Sequence, residues 1–514
     1  MPDALLKKST GSAIAGAATL LAGFVSTVVV ANLLGVEGAG LVALAVWLSV
    51  VLAPVIDGGT SLSVLRFFAD RSGREDHRGA RALAGFLLRR LLGFAAVAAS
   101  AAVAVAVLAP GPARDAIATL FPAVDTRTAT ALVSLVVALT VAQALATFTI
   151  SYHRGAQAFS SLAKIAALAF VLQVAAVTIG TLLYGATGAV AGYVLGQTTL
   201  ALFALPLVLH RGPLDRALKR EIWQYGRYAW AANMCNIFVW SRMEILFLQL
   251  SWGAAEVGLF SVAIALSALA SQGPLLLTSA FLPVLAGHNS RGDRGAVQTV
   301  FSNGTAIVAL LALPACFGMA AVAQPMIVLL YGSDFAAAGT ASAIILVAAA
   351  ISVSSTIGTH LVNALGRSDF IFWSSIAGAV LAVALGFLII PEFGLVGAAL
   401  TRASVQIAAV MLGIWFITRR LRYAYPFARL IRLTLAAAAP AGAAFAATQL
   451  VAGPLGLLEA ILAGFVVYPL SLRLFGALGP DERAAIIHFA ERFPPFSRPA
   501  ANAFVSFLAP AHQS

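Results

Sequence analysis

Long apolar runs separated by short polar breaks repeat along almost the whole chain. They fall at 11–34, 38–60, 91–110, 128–150, 165–184 and 188–209, then at 228–251, 256–285, 299–323, 339–362, 370–391 and 394–418, and finally at 433–452 and 455–475. Each is near the roughly 20 residues that an apolar helix needs to cross a bilayer. The pattern predicts an all-α polytopic membrane protein of about 14 transmembrane helices. The breaks are short, so consecutive spans should form antiparallel hairpins. The expected layout is a six-helix lobe over 1–209, a linker over 210–227, a second six-helix lobe over 228–418, two further helices over 419–475 and a tail over 476–514. Proline falls inside spans at Pro54, Pro274 and Pro314 and should kink them.

The two sixes carry a repeat. Gly35, Gly40, Leu41, Ala45 and Leu48 reappear as Gly253, Gly258, Leu259, Ala263 and Leu266, each 218 positions later. Both copies start on the same side, so the repeat is parallel, with a pseudo-two-fold axis along the membrane normal. In the linker, Arg216, Arg220, Trp223 and Arg227 share one helical face, and Leu218, Ile222 and Tyr225 another. That reads as an interfacial helix on the membrane surface. The stretch 71–90 is similar, with Arg74, Arg78 and Arg81 at helical spacing. In the tail, Ile486, Phe489 and Phe493 line one face of an expected surface helix that ends at Pro494-Pro495.

Charge fixes the orientation. Of the 32 Lys+Arg, 28 fall in the loops on the side that holds the N-terminus. The opposite loops hold Arg114 and Arg127, together with the acids Glu37, Asp115, Asp125, Glu256, Asp334, Glu392 and Glu459. Basic residues beside span ends stay in the cytoplasm, which puts both termini there. Hydrophobic residues make up 61% of the chain and charged residues 10%, against about 25% in a soluble domain. The net charge of +12 sits beside span ends, which points to anionic lipid headgroups and away from nucleic acid. Lys7, Lys8 and the run to Leu34 imitate a signal peptide, but the run exceeds the usual apolar region, so an uncleaved first span is expected. Cys235 and Cys316 stand alone in separate spans, as small buried side chains.

Catalytic and cofactor signatures are missing from the sequence. It has no GxxxxGK[ST] loop, no HExxH and no clustered metal ligands, so no cofactor and no metal are expected. No long outer loop carries paired carboxylates. The expectation is a transporter, not an enzyme, driven by an ion gradient, the membrane potential or the substrate gradient. Ionisable residues within spans are then the candidate site. Span seven holds Arg242 and Glu244, on opposite helical faces. Glu244 shares its face with Asn233, Asn236 and Trp240. Each charge either lines a cavity or forms a structural pair with a neighbouring helix. Arg402 lies eight residues into span twelve, about 12 Å from its end; it either lines a cavity or snorkels outward. Asp57 and Arg66 flank Gly58-Gly59 near the inner end of span two, where Arg66 is either functional or a cytoplasmic anchor. His360 reads as a packed or interfacial histidine.

Several motifs resemble a known family. "LLGVEGAGLVALAVWLSVV" followed by "LSVLRFF" is similar to the opening of Wzx-type polysaccharide flippases of the multidrug/oligosaccharidyl-lipid/polysaccharide exporter superfamily. "EVGLFSVAIAL", "LPACFGMAAVAQPMIVLLYGSDFAAAG", "NALGR" and "IIPEFGLVGAALT" follow in the same order. The resemblance implies a fourteen-helix, two-lobed fold that moves lipid-linked oligosaccharide across the inner membrane by alternating access. It also implies a monomer in contact with membrane lipids and other polysaccharide-assembly proteins, and it matches Arg66 to a recurrent family arginine. The branch that flips the peptidoglycan precursor is less similar, because its longer arginine-rich N-terminal motif is missing. A drug/cation antiporter of the same superfamily is one alternative, and a membrane glycosyltransferase, polymerase or ligase another. An antiporter would need a mainly acidic cavity. An enzyme would need a large outer loop bearing carboxylates.

Overall fold

A computed structural model describes residues 2–122, 124–240, 242–278, 281–451 and 453–477. All regular structure among them is helical. The chain forms two compact units. One comprises the chain through Ser261 together with Gly386–Leu395; the other comprises Val262–Leu385 and the chain from Val396 onward.

The first unit is built from α1 (Pro2–Asp57), α2 (Thr60–Gly73), α3 (His77–Leu108), α4 (Pro110–Leu120), α5 (Thr126–Gly155), α6 (Phe159–Leu202), α7 (Arg216–Trp240), α8 (Glu244–Ser251) and the start of α9 (Ala254–Thr278). Aspartates set several starts. The Asp76 side chain accepts from Gly79 N at 2.9 Å, and Asp125 accepts from Thr128 N at 3.0 Å. Such caps satisfy amides that have no partner within the helix. Phe67, Leu87, Leu88, Phe148 and Ile222 form the buried core where α2, α3, α5 and α7 meet. Apolar side chains such as Val97, Val103 and Val107 on α3 stay exposed, as a lipid-facing surface requires.

Among the described residues ten helices are long and apolar enough to cross a membrane, so this is a multi-pass membrane protein. The expected fourteen separate spans differ from this in two ways. First, three of the ten are far longer than one crossing, at 43, 44 and 53 residues. Each contains one glycine at positive φ: Gly35 in α1 (φ 68°), Gly185 in α6 (φ 60°) and Gly394 in α15, Ser368–Trp415 (φ 50°). Only glycine enters this region without strain. In α6 the two arms fold back on each other: side chains at Gly180 and Gly188 would each overlap the other's backbone, and one at Gly192 would overlap Val177. Expected turns have become tight reversals within what reads as one helix. Second, the expected span over 228–251 is broken. α7 stops at Trp240, Arg242 takes a left-handed φ of 63°, and α8 begins at Glu244. The interfacial linker and the first half of this span are instead one helix, α7. The stretch 71–90 likewise splits: Arg74 ends α2, while Arg78 and Arg81 belong to α3.

The repeated glycines meet. A side chain on Gly40 would overlap the Ala254 carbonyl, and one on Gly258 would overlap the Val36 carbonyl. Val36 and Ala254 are themselves 218 positions apart, so the contact maps onto itself under the repeat. Gly35 (φ 68°) and Gly253 (φ 86°) are also equivalent and share positive φ. Nearby, Glu256 Oε2 accepts from Leu395 N at 2.9 Å and Trp252 Nε1 donates to Ile390 O at 3.0 Å.

The second unit comprises the rest of α9, then α10 (Phe281–Ser290), α11 (Arg294–Ala321), α12 (Ala323–Tyr331), α13 (Ala338–Ser354), α14 (Thr356–Ala364), most of α15, α16 (Phe427–Leu450) and α17 (Pro454–Leu474). Its core gathers Phe301, Ile357, Phe416 and Tyr425. The connection between α15 and α16 is held tightly. Arg294 donates to Leu421 O and Arg422 O at 2.8 Å each, Gln298 bonds both Ala424 N and Ala424 O at 2.8 Å, and Tyr425 donates to Ser355 Oγ at 3.1 Å. Pro54, Pro274 and Pro314 all lie inside helices. The expected tail helix over Ile486, Phe489 and Phe493 lies outside the described residues.

Candidate functional site

The sequence-predicted residues near Gly58-Gly59 come together in the first unit. Gly58 and Gly59 have φ of 55° and 79° and separate α1 from α2. Asp57 is 8% exposed. Its carboxylate accepts from Gly59 N at 3.1 Å, Thr60 Oγ1 at 2.9 Å, Ser61 N at 3.1 Å and the Ser61 hydroxyl. Asp57 is thus occupied in starting α2. A side chain on Gly59 would overlap the Gly226 carbonyl, so α7 crosses directly over this break. Trp230 Nε1 on α7 donates to Pro54 O at 2.9 Å and fixes the crossing.

That crossing places Arg66. Its guanidinium stands 4.5 Å from the Tyr225 ring centre and 5.2 Å from that of Phe67. The Glu221 carboxylate is 4.0 Å away, with both side chains more than half exposed. An ion pair this open contributes at most about 1 kcal/mol. Beside it, Arg71 pairs with Asp76 at 2.9 Å and Arg74 with Asp70 at 3.1 Å. These six charged residues, with Phe67 and Leu218, line a cavity of about 410 Å³. Of the three arginines, Arg66 holds its acid at the longest distance. Its guanidinium lies over an aromatic ring and its side chain is more than half exposed, and a guanidinium can contact phosphate or carboxylate through two donors. Between Glu221 and Tyr225 on α7, Trp223 has Arg90 of α3 over its ring at 4.3 Å, and Trp223 itself is 51% exposed.

The span-seven candidates are placed differently from expectation. Glu244 is 5% exposed and opens α8, whereas Arg242 is exposed in the break. Asn233 is half-buried on α7. Asn236 and Trp240 belong to α7, and their side chains lie outside the described residues. The left-handed backbone at Arg242, between α7 and α8, interrupts the helical face expected to join Asn233, Asn236, Trp240 and Glu244. Arg402 is half-buried in the second arm of α15, eight residues past Gly394. His360 lies in α14 with its Nε2 buried and without a hydrogen-bond partner. Cys316 is buried and free; the Cys235 side chain lies outside the described residues.

Sequence reasoning missed Tyr225 and Glu221, the partners of Arg66. They stand four apart on α7, the spacing of one helical face, but nothing local ties that face to α2. It also passed over three intramembrane glutamines: Gln143, Gln173 and Gln197 converge on a second cavity in the first unit.

Long apolar helices, reversed at positive-φ glycines, with arginines over aromatic rings near helix ends, have the architecture of a polytopic membrane protein. Comparison with known proteins agrees. Residues 93–340 match a family model described as polysaccharide biosynthesis protein. A probable low-salt glycan biosynthesis flippase of Haloferax volcanii is 26% identical over 186 residues, covering 36% of this chain and 39% of the relative. A probable flippase of the same organism is 22% identical over 200 residues, covering 38% and 42%. The matched segment thus spans about two-fifths of either relative's length. Among solved structures, the lipid II flippase MurJ in an inward closed conformation superposes with a TM-score of 0.71 at 14% identity, over 90% of this chain and 98% of that one. An inward-facing multidrug resistance transporter of the MATE family gives 0.60 at 16% identity, over 78% and 94%. The fold is shared with both. These findings bear out the resemblance to polysaccharide flippases read from the motifs.

Proposed function

We propose that this protein moves lipid-linked oligosaccharide across the cytoplasmic membrane by alternating access, without ATP hydrolysis or bond formation of its own. The observation that carries the reading is the superposition on a lipid flippase over 90% of the chain, supported by the flippase relatives. In this reading the basic loops, both termini and the α2–α7 corner face the cytoplasm. Arg66 makes the first contact with the substrate's diphosphate, because a guanidinium keeps its charge and offers two parallel donors. Arg242 and Arg402 are proposed as later partners, while Glu244, Asn233, Asn236 and Trp240 serve contact or coupling roles near Arg242. Asp57 serves by holding α2 in place. Membrane lipids and polysaccharide-assembly proteins are its expected neighbours.

The test is reconstitution. Proteoliposomes holding the purified chain should move a fluorescent polyprenyl diphosphate-linked oligosaccharide from one leaflet to the other, without ATP. The MATE-type fold favours one second reading, an organic-cation antiporter. If the vesicles take up ethidium against a pH or sodium gradient and leave the lipid-linked sugar unmoved, the antiporter reading replaces the flippase one.

A further inference from the structure

Three glutamines of the first unit stand within otherwise apolar helices: Gln143 in α5, and Gln173 and Gln197 in the two arms of α6. Gln173 and Gln197 each lie twelve residues from the Gly185 reversal, about 18 Å along their arms at 1.5 Å per residue. That is near mid-depth in a hydrocarbon core about 30 Å thick. A primary amide there brings two donors and an acceptor oxygen with two lone pairs, and each unmet group is costly in lipid. Polar side chains at such depth therefore turn towards one another or towards a cavity.

Here they do both. Gln173 is 4% exposed, and its Nε2 donates to Ser26 Oγ at 3.3 Å. Gln143, Gln173 and Gln197, with Ser49 and Tyr193, line a cavity of about 160 Å³ that Phe170 helps to wall. Ser49 and Tyr193 are 1% and 9% exposed. None of the side chains lining the cavity is charged. A phosphate would call for arginine and an organic cation for a carboxylate, and neither is present. Neutral amides and hydroxyls instead pair donor with acceptor, as vicinal hydroxyls require. The volume corresponds to about five waters at 30 Å³ each, or to a single sugar ring.

We propose that this cavity is a saccharide subsite, taking one uncharged glycosyl ring through its hydroxyls, with Gln143, Gln197 and Tyr193 as the contacting residues and Gln173 as the group that positions them. The proposal rests on the flippase reading for the identity of its ligand. It separates the work of recognition: the diphosphate is met by arginine, the sugar by amides at a different place in the same unit.

The test has two arms. In proteoliposomes, transport is compared for two fluorescent lipids, a polyprenyl diphosphate carrying a neutral trisaccharide and the same polyprenyl diphosphate without sugar. Gln143→Met and Gln197→Met should slow the sugar-bearing lipid about three- to tenfold, the range of one or two lost hydrogen bonds, and leave the bare diphosphate unchanged. The second arm needs no transport. With Cys235→Ala and Cys316→Ala as background, labelling of Ser49→Cys by a methanethiosulfonate reagent is followed in detergent. Glucose, galactose or N-acetylglucosamine should slow it, and equimolar choline chloride or phosphate should not. Protection by sugar with neither lipid moved by the wild type would sink the flippase reading and keep the subsite. Equal slowing of both lipids, or wild-type rates for both together with no protection, would overturn the subsite and leave the flippase reading standing.

Discussion

The two copies of the internal repeat agree at one end and part at the other. At the turns, Gly35 and Gly253 share positive φ, and Gly40 and Gly258 pack on each other's neighbouring carbonyls. One arm further on both copies end a helix, α1 at Asp57 and α9 at Thr278, but the side chains there differ. Asp57, Gly58 and Arg66 correspond, 218 positions later, to Leu275, Leu276 and Val284. The first copy holds the start of its next helix with a buried carboxylate and presents an arginine over an aromatic ring. The second copy is apolar at the same positions. The glycine end is constrained by shape: two backbones cross so closely that no side chain fits between them, and both copies must obey. The far end is constrained by chemistry, and one copy alone carries it. A duplicated scaffold has kept its crossing point symmetric and made its charged corner asymmetric.

The sharpest way to break this comparison is at the crossing. Gly40→Leu and Gly258→Leu each force a side chain into a neighbouring backbone, and each should cost about 1–3 kcal/mol of stability, read as denaturant unfolding in detergent. Because the two glycines share one contact, the double variant should lose less than the sum of the singles. Full additivity, or tolerance of leucine at one position only, would mean that the crossing is not a two-fold contact. At the charged end, Asp57→Ala removes the cap of α2 and leaves several donors without their acceptor, for about 2 kcal/mol. Leu275→Met, at the matching apolar position, should cost below about 1.5 kcal/mol. If Asp57→Asn stops transport while unfolding stays at the wild-type midpoint, Asp57 acts on substrate and the cap account fails. A smaller loss, about 1 kcal/mol, is expected for Trp230→Phe, which gives up the bond to the Pro54 carbonyl and keeps the ring.

How far the sequence foretold these features follows from their range along the chain. The apolar runs were legible because hydrocarbon tolerates little else, and the 218-residue repeat was legible because its glycines are sterically obligatory. The reversal inside α6 was legible too: Gly185 falls in the break expected between the spans 165–184 and 188–209. The break between α7 and α8 was not foreseen. Arg242 was expected inside one helix, whereas its backbone takes a left-handed φ of 63°. The cap at Asp57 had a local signal in the run Asp57-Gly58-Gly59-Thr60-Ser61, of which only the two glycines were used. The partners of Arg66 were illegible: Glu221 and Tyr225 lie more than 150 positions away, and only the packing of Gly59 against Gly226 brings them near. Gln143, Gln173 and Gln197 carry no charge, so a search for intramembrane ionisable groups passed them by.

The change with the least effect on stability should speak most directly to function. Arg66→Ala removes a guanidinium that is about half exposed, stacked at 4.5 Å on Tyr225 and 4.0 Å from Glu221. An exposed stacking contact contributes about 0.5–1 kcal/mol and an open ion pair no more than that, so the fold should lose at most about 1–2 kcal/mol. If Arg66 is only a topological anchor, transport per folded molecule stays at the wild-type level, and Arg66→Lys, which keeps the charge, is silent. If Arg66 meets the diphosphate, Arg66→Ala stops movement of the lipid-linked sugar while the protein stays folded in the membrane. Arg66→Lys then restores part of it, because a point charge replaces a two-pronged donor. Val284→Arg at the matching position of the second copy should not compensate in an Arg66→Ala background. The asymmetry lies in the whole corner: the Asp57 carboxylate, the crossing of α7 at Gly226 and the Tyr225 ring beneath the guanidinium. Rescue by Val284→Arg would show that charge alone suffices and that the two ends of the repeat are more alike than their structures suggest.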